Sequence, residues 1–81
     1  MYFCYILYSK KLDKFYVGST NNVEGRLIRH NSSNIGFTST GKPWDIVYSE
    51  KYSERKEALK REFQIKRWKS RKAIEDLIGQ E

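Results

Sequence analysis

Residues 2–8, YFCYILY, form an unbroken apolar and aromatic run. The run is too short for a helix and rich in strand formers, so it predicts a strand buried on both faces. Polar SKKLDK follows as a turn, and FYVG at 15–18 predicts a second strand, making residues 2–18 a hairpin. The segment STNN supplies helix-start residues, and Val23 to about Asn31 predicts a first helix. NSSNIGFTSTGKP, closed by the only proline, Pro43, predicts a loop, and WDIVYSEKY a third strand. Ser53 can cap a second helix running to about Lys69, with Glu54 suited to its dipole. Ser70 can cap a third, in which Ala73, Ile74, Leu77 and Ile78 recur at helical spacing. The order is ββαβαα, with too few strands for a barrel and helices available as cover, which predicts a small α+β sandwich. A chain of 81 residues has room for one domain, residues 1–81.

Three placements break the simple pattern. On the second helix, Glu62 falls in the middle of the stripe formed by Ala58, Leu59, Phe63 and Ile65, while Lys56, Lys60 and Arg67 fall on the far side. A carboxylate aimed inward loses hydration at a cost of several kcal/mol unless something compensates it. Two readings stand: an ion pair with Lys66, four residues on, or a cleft in which Glu62 binds a divalent cation. On the first helix, Arg26 and His30, the only histidine, sit one turn apart at the edge of the apolar stripe. A buried pairing and a phosphate-handling site are the two answers for the pair; taken singly, His30 reads as a satisfied structural histidine and Arg26 as a surface cation with a packed stem. In the hairpin, an even-length turn makes opposed residues sum to an odd number, which places Tyr5 and Tyr16 on one face. Gly18 either terminates the second strand or marks a close approach of another chain's backbone.

Composition sharpens part of this. So short a chain builds a thin core, and its 15% aromatic content supplies large contacts per residue. The single cysteine, Cys4, excludes an internal disulfide and suits a reducing compartment. No apolar run approaches the roughly 20 residues that span a bilayer. The N-terminus lacks a basic flank and a small-residue cleavage site, so a cytoplasmic location is expected. The net charge of +6 is uneven: residues 51–72 hold ten Lys/Arg against three acids, a local +7. That footprint suits a polyanion such as nucleic acid, with Arg55, Lys66, Arg67, Lys69, Arg71 and Lys72 as candidate contacts; a solvated basic helix face gives the same pattern.

Taken together, Phe3-Cys4-Tyr5, Tyr16-Val17-Gly18, Arg26, His30 and Glu62 make the chain similar to GIY-YIG nuclease domains. The small stand-alone bacterial type, related to the N-terminal domain of the excision-repair nuclease subunit, is the nearest in character. The phrases YVGSTNNVEGRLIRHN, KPWDIVYSEKY and EALKREFQIKRWKSRKAIEDLI also resemble that subfamily. The resemblance covers essentially the whole chain. It implies a three-stranded antiparallel sheet flanked by three helices, and a metal-dependent endonuclease acting on DNA, with a link to DNA repair. It implies Glu62 as the single protein ligand to Mg²⁺ or Mn²⁺ and Arg26 on the scissile phosphate. Tyr5, Tyr16 and His30 would position and deprotonate the attacking water. The chain departs from the family pattern at Phe3 and Cys4, which replace the first Gly and Ile. No asparagine follows Asn34, so an outer-site asparagine of some family nucleases has no counterpart. A second domain that reads sequence is not expected from these residues, so the basic belt would hold phosphates, including those of branched or single-stranded DNA, without reading bases.

The main rival is a non-catalytic nucleic-acid-binding module using the basic second helix, with Trp44, Trp68 or Tyr52 for stacking. An adaptor delivering a partner protein to nucleic acid is a third class. Glu62 discriminates, because a pure binder gains nothing from a carboxylate facing phosphate. One Cys and one His exclude a structural zinc site, and neither a phosphate-loop glycine pattern nor a nucleophile elbow is present.

Overall fold

The computed structural model describes residues 1–32 and 36–79. Its elements are β1 (Tyr2–Ser9), β2 (Lys14–Thr20), α1 (Val23–Ser32), α2 (Phe37–Thr40), β3 (Trp44–Tyr52), α3 (Arg55–Trp68) and α4 (Arg71–Ile78). The three strands form one antiparallel sheet in the order β2-β1-β3. The first strand in sequence is thus the middle strand in space, which explains its continuous apolar run. Cys4, Tyr5, Ile6 and Leu7 are all buried, with alternate side chains on opposite faces. Cys4 and Ile6 join Val17, Ile65 and Leu77 beneath α3 and α4. Tyr5 and Leu7 join Trp44, with Val23 and Leu27 of α1 packed against them. The α+β sandwich expected from the sequence is therefore observed, with helices on both faces.

The register follows the expected parity. Tyr5 pairs with Gly18 and Leu7 with Tyr16, so both tyrosines stand on the α1 face. On the other edge, an irregularity between Ile6 and Leu7 lets Val47 bulge between the pairs Ile6–Tyr48 and Leu7–Ile46. Asn22 starts α1: its Oδ1 accepts from the Gly25 amide at 3.0 Å. In its last turn Asn31 donates to the Trp44 carbonyl at 3.1 Å and accepts from the Trp44 amide at 2.6 Å. This two-bond clasp ties the end of α1 to the start of β3 and fixes the turn that carries His30.

Four expectations change. Within the expected loop, residues 31–43, a single helical turn, α2, forms at Phe37–Thr40 where no apolar period marked it. It is held from outside, by the Trp44 indole N–H donating to the Thr38 carbonyl at 2.7 Å. Residues 33–35 of that loop, including Asn34, lie outside the described residues. The N-cap of α3 is Glu54, one residue later than Ser53, because the Glu54 amide is met by the Glu57 carboxylate at 3.2 Å. Strand β2 continues to Thr20, so Gly18 does not terminate it. Phe63, counted in the buried stripe of α3, is instead 57% exposed. The helix turns only the Ala58–Ile65 side to the sheet, and Phe63 lies beyond its edge.

Glu50 clips α3 to β3. Its carboxylate accepts from the hydroxyls of Tyr48 and Tyr52 at 2.5 and 2.7 Å, and from Arg61 Nε at 2.9 Å. Burial pushes this carboxyl up, but the bonds from Arg61 and the two phenols outweigh it and hold it below its ordinary value. A group lowered in this way adds stability above its unfolded pKa and loses it as pH falls through the folded one. The thermal midpoint is therefore expected to fall as pH drops below the ordinary carboxylate range of about 4. In Glu50→Gln, denaturation scans across that window should show a lower midpoint at neutral pH and a flatter acid dependence.

Candidate active site

The α1 face gathers four of the expected site residues. Tyr5 comes from the middle strand, Tyr16 from the edge strand beside it, and Arg26 and His30 from successive turns of α1. The Tyr5 hydroxyl lies 3.3 Å from His30 Nε2. The Tyr16 ring meets the His30 ring edge-on with centroids 4.7 Å apart, and the two tyrosine rings are 6.5 Å apart. Tyr5 and His30 are buried, whereas Tyr16 and Arg26 are partly exposed. Gly18 makes room for this arrangement. A Cβ there would sit 2.6 Å from the Tyr5 hydroxyl oxygen and 2.8 Å from its Cζ. The close approach foreseen at Gly18 is thus made by the chain's own phenol, not by another chain.

Electrostatics divide the roles. Burial, reinforced by Tyr16, pushes the Tyr5 phenol up to about 12, and the opposing pull of Arg26 is smaller. A cation close to the phenol therefore does not turn it into a phenolate, and Tyr5 keeps its proton through the neutral range. That proton is best satisfied by the bare nitrogen of a neutral imidazole. Burial lowers the His30 pKa below its ordinary 6.5, and the positive charges of Arg26 and Arg29 lower it further. His30 is accordingly neutral near pH 7 and able to accept a proton. Cys4, on the other face, is pushed up to about 12 mainly by burial, which makes its thiol inert.

Glu62 approaches from the opposite face, on α3. Ser19 Oγ donates to its Oε1 at 2.7 Å, and Lys66 Nζ to its Oε2 at 2.6 Å. The ion pair set out as one reading of the sequence is therefore formed. The Glu62 side chain keeps 13% of its surface exposed and Lys66 keeps 48%. The negative charge of Glu62 reaches Tyr5 and adds to the upward shift of the phenol. Among the described residues no group of three or more His, Cys, Asp or Glu forms a cage for a metal. The donor chemistry nonetheless fits a cation that keeps most of its water: one carboxylate, oriented by Ser19, already holds a positive charge on a half-exposed lysine.

Beside Ser19 opens a polar cleft of about 460 Å³, lined by Tyr2, Ser19, Thr20, Asn21, Arg26 and Arg55 among others. Arg26 and Arg55 face it from α1 and α3, and neither is paired with a carboxylate among the described residues. Two unspent guanidiniums over a small polar cavity suit a phosphate group. The other expected basic contacts are scattered. Lys66 is held by Glu62, and Lys72 stands 3.7 Å from Asp76. Arg71 pairs with Asp13 at 2.6 Å and lies over the Phe15 ring, at the far end of β2 from Gly18. Arg67 and Lys69 are exposed at the end of α3. Ser19 was not among the residues singled out in the sequence. Strand alternation beside Gly18 was the available signal, since residue 19 must point to the face opposite Tyr5.

A helix-flanked three-stranded sheet with two tyrosines, an arginine and a histidine on one face, and a glutamate approaching from the other, defines a nuclease-type domain. The family model for the GIY-YIG catalytic domain matches residues 1–75, and the chain belongs to this family. Its members are nuclease domains, in general dependent on divalent metal and directed at DNA. The chain is similar to several small bacterial proteins named UPF0213. One from Staphylococcus haemolyticus is 38% identical over 66 residues, covering 80% of this chain and 79% of that protein. One from Staphylococcus epidermidis is 40% identical over 52 residues, 63% of each chain. One from Bacillus pumilus is 33% identical over 58 residues, covering 70% of this chain and 59% of the relative. No solved structure matches the chain. Among the described residues, no helix is long and apolar enough to cross a membrane.

Proposed function

We propose that this chain, acting as one cytoplasmic domain over residues 1–81, hydrolyses phosphodiester bonds of DNA by a metal-dependent endonuclease mechanism. The observation that carries the reading is the neutral His30 bonded to the Tyr5 hydroxyl, one helical turn from Arg26, which shares a polar cleft with Arg55, neither arginine being paired with a carboxylate among the described residues. Arg26 takes the scissile phosphate in its planar fork, and Arg55 holds the neighbouring backbone. Tyr16 orients the attacking water. As that water attacks phosphorus, it gives one proton to the Tyr5 oxygen while the Tyr5 proton passes to His30 Nε2. The phenol is thereby neutral before and after, as its raised pKa requires, and His30 stores the proton. The phosphorus–oxygen bond opposite the attacking water breaks, the leaving oxygen takes its proton from solvent, and His30 then returns its stored proton to solvent. Glu62 would hold one hydrated Mg²⁺ or Mn²⁺ after Lys66 withdraws; such an ion supplies Lewis-acid neutralisation of charge at the phosphate.

The Glu62–Lys66 pair favours a second reading, a DNA-binding module without catalysis. Incubation with supercoiled, branched and single-stranded DNA, in Mg²⁺, in Mn²⁺ and in chelator, separates the two. Cleavage in either metal that stops in chelator is the expected result. Retention on DNA with no cleavage in any condition would leave the binding module.

A further inference from the structure

The outer face of α3 carries a feature the proposed chemistry does not use. Phe63 is 57% exposed on a helix whose other large apolar residues are turned in or half covered. It stands in a shallow, almost wholly apolar groove of about 720 Å³, together with Leu59 and Trp68. Lys56, Lys60 and Arg67 line the same groove, and no acidic residue does. None of these three cations is paired with a carboxylate among the described residues. Residues 56, 60, 63 and 67 follow one another at helical spacing, so cation, cation, aromatic ring and cation form one stripe about 16 Å long. Leu59 lines both this groove and the polar cleft of Arg26 and Arg55, so the two surfaces are continuous.

We infer that this stripe is a docking subsite for an unpaired nucleic-acid strand, in which a base stacks on Phe63 and its flanking phosphates lie against Lys56, Lys60 and Arg67. The chemistry selects the ligand. An exposed ring amid cations offers a π-face and positive charge together, the pairing that holds single strands. A duplex keeps its base faces inside its own stack and can use only the cations. A second copy of the chain would bring the same three cations against one another with no acid to offset them, which is costly at an interface. The inference rests on the nuclease reading only for its direction: a strand entering the cleft at Arg26 and Arg55 would continue across Leu59 onto α3. The charge stripe itself was visible in the sequence, but as the far side of an amphipathic helix. The exposure of Phe63 within it gives the stripe a ligand.

The test measures binding in chelator, where cleavage plays no part, so failure of the nuclease reading leaves it untouched. A labelled oligothymidylate and a duplex of equal length are titrated with the protein and followed by fluorescence anisotropy. Phe63→Ala is expected to weaken binding of the single strand roughly ten-fold and that of the duplex less than two-fold. Phe63→Trp should restore single-strand binding, and Phe63→Leu, apolar but without a ring, should not. The triple variant Lys56→Ala/Lys60→Ala/Arg67→Ala should reduce the salt dependence of single-strand binding by about 2 in log–log slope. Phe63 and the cations are on the surface, so circular dichroism should show each variant folded. Unchanged single-strand binding in Phe63→Ala, full binding by Phe63→Leu, or equal losses on both DNAs would overturn the inference. A wild-type dimer in sedimentation that Phe63→Ala dissociates would also overturn it, by assigning the groove to a second copy.

Discussion

Replacing Glu62 by glutamine is expected to lower metal-dependent cleavage about a thousand-fold while leaving the fold intact. Glutamine keeps an oxygen to accept the Ser19 hydroxyl bond, so the junction between α3 and the end of β2 survives. What it loses is the charge, and with it both the ion pair to Lys66 and the affinity for a divalent cation. Removal of one preorganised charge-stabilising group typically costs 10²–10³ in rate, and loss of a Lewis acid several kcal/mol. Initial rates at saturating Mg²⁺, with thermal midpoints alongside, give the answer. Lys66→Ala supplies the opposite sign. Without its ammonium the carboxylate has no competing cation, so half-maximal cleavage should need less Mg²⁺ than in the wild type. If the glutamine variant cuts as fast as the wild type, Glu62 is only half of a surface ion pair and the catalytic reading fails.

Gly18→Ala should remove activity from the other side of the same strand. Its methyl carbon would stand 2.6 Å from the Tyr5 hydroxyl oxygen, closer than such atoms come. Tyr5 cannot yield cheaply, because it is 1% exposed and locked among Leu7, Trp44, Tyr16 and the residues of α1. The phenol must tilt, and the 3.3 Å contact with His30 Nε2 is lost. Overpacking of this kind costs roughly 1–3 kcal/mol of stability. Displacement of a reacting group by about 1 Å costs on the order of 100-fold in rate. A lowered midpoint with at least that loss of cleavage is expected, with single-strand binding through Phe63 retained. An alanine variant with full activity and an unchanged midpoint would show that the Tyr5–His30 geometry is dispensable.

The sequence exposed the site residues unevenly, for physical reasons. Tyr5 and Tyr16 could be placed on one face because strand side chains alternate strictly and the hairpin turn fixes parity. Arg26 and His30 could be placed at one edge of a helix because helical spacing is equally strict. Glu62 announced itself as a carboxylate in an apolar stripe, but periodicity gives its direction and not what waits there. Lys66 and Ser19 both wait there, one local in sequence and foreseeable, the other 43 residues away and set by docking. Phe63 misled for the same reason: a helical stripe has edges, and only the width of the sheet beneath decides which edge is covered.

By itself, then, the chain's pattern determined the strands, three of the helices, the parity of the hairpin and a shared face for two phenols. Those properties depend on repeats of two and 3.6 residues and on local turn and cap chemistry, all written along the chain. Tertiary structure alone decided that β1 lies in the middle of the sheet and that one helical turn forms against Trp44. It also decided that the Tyr5 hydroxyl lies within hydrogen-bond distance of His30 and that Arg26 meets Arg55 across one cleft. These arise where segments distant in sequence are brought within a few ångströms, and burial and charge act through that proximity whatever the spacing along the chain.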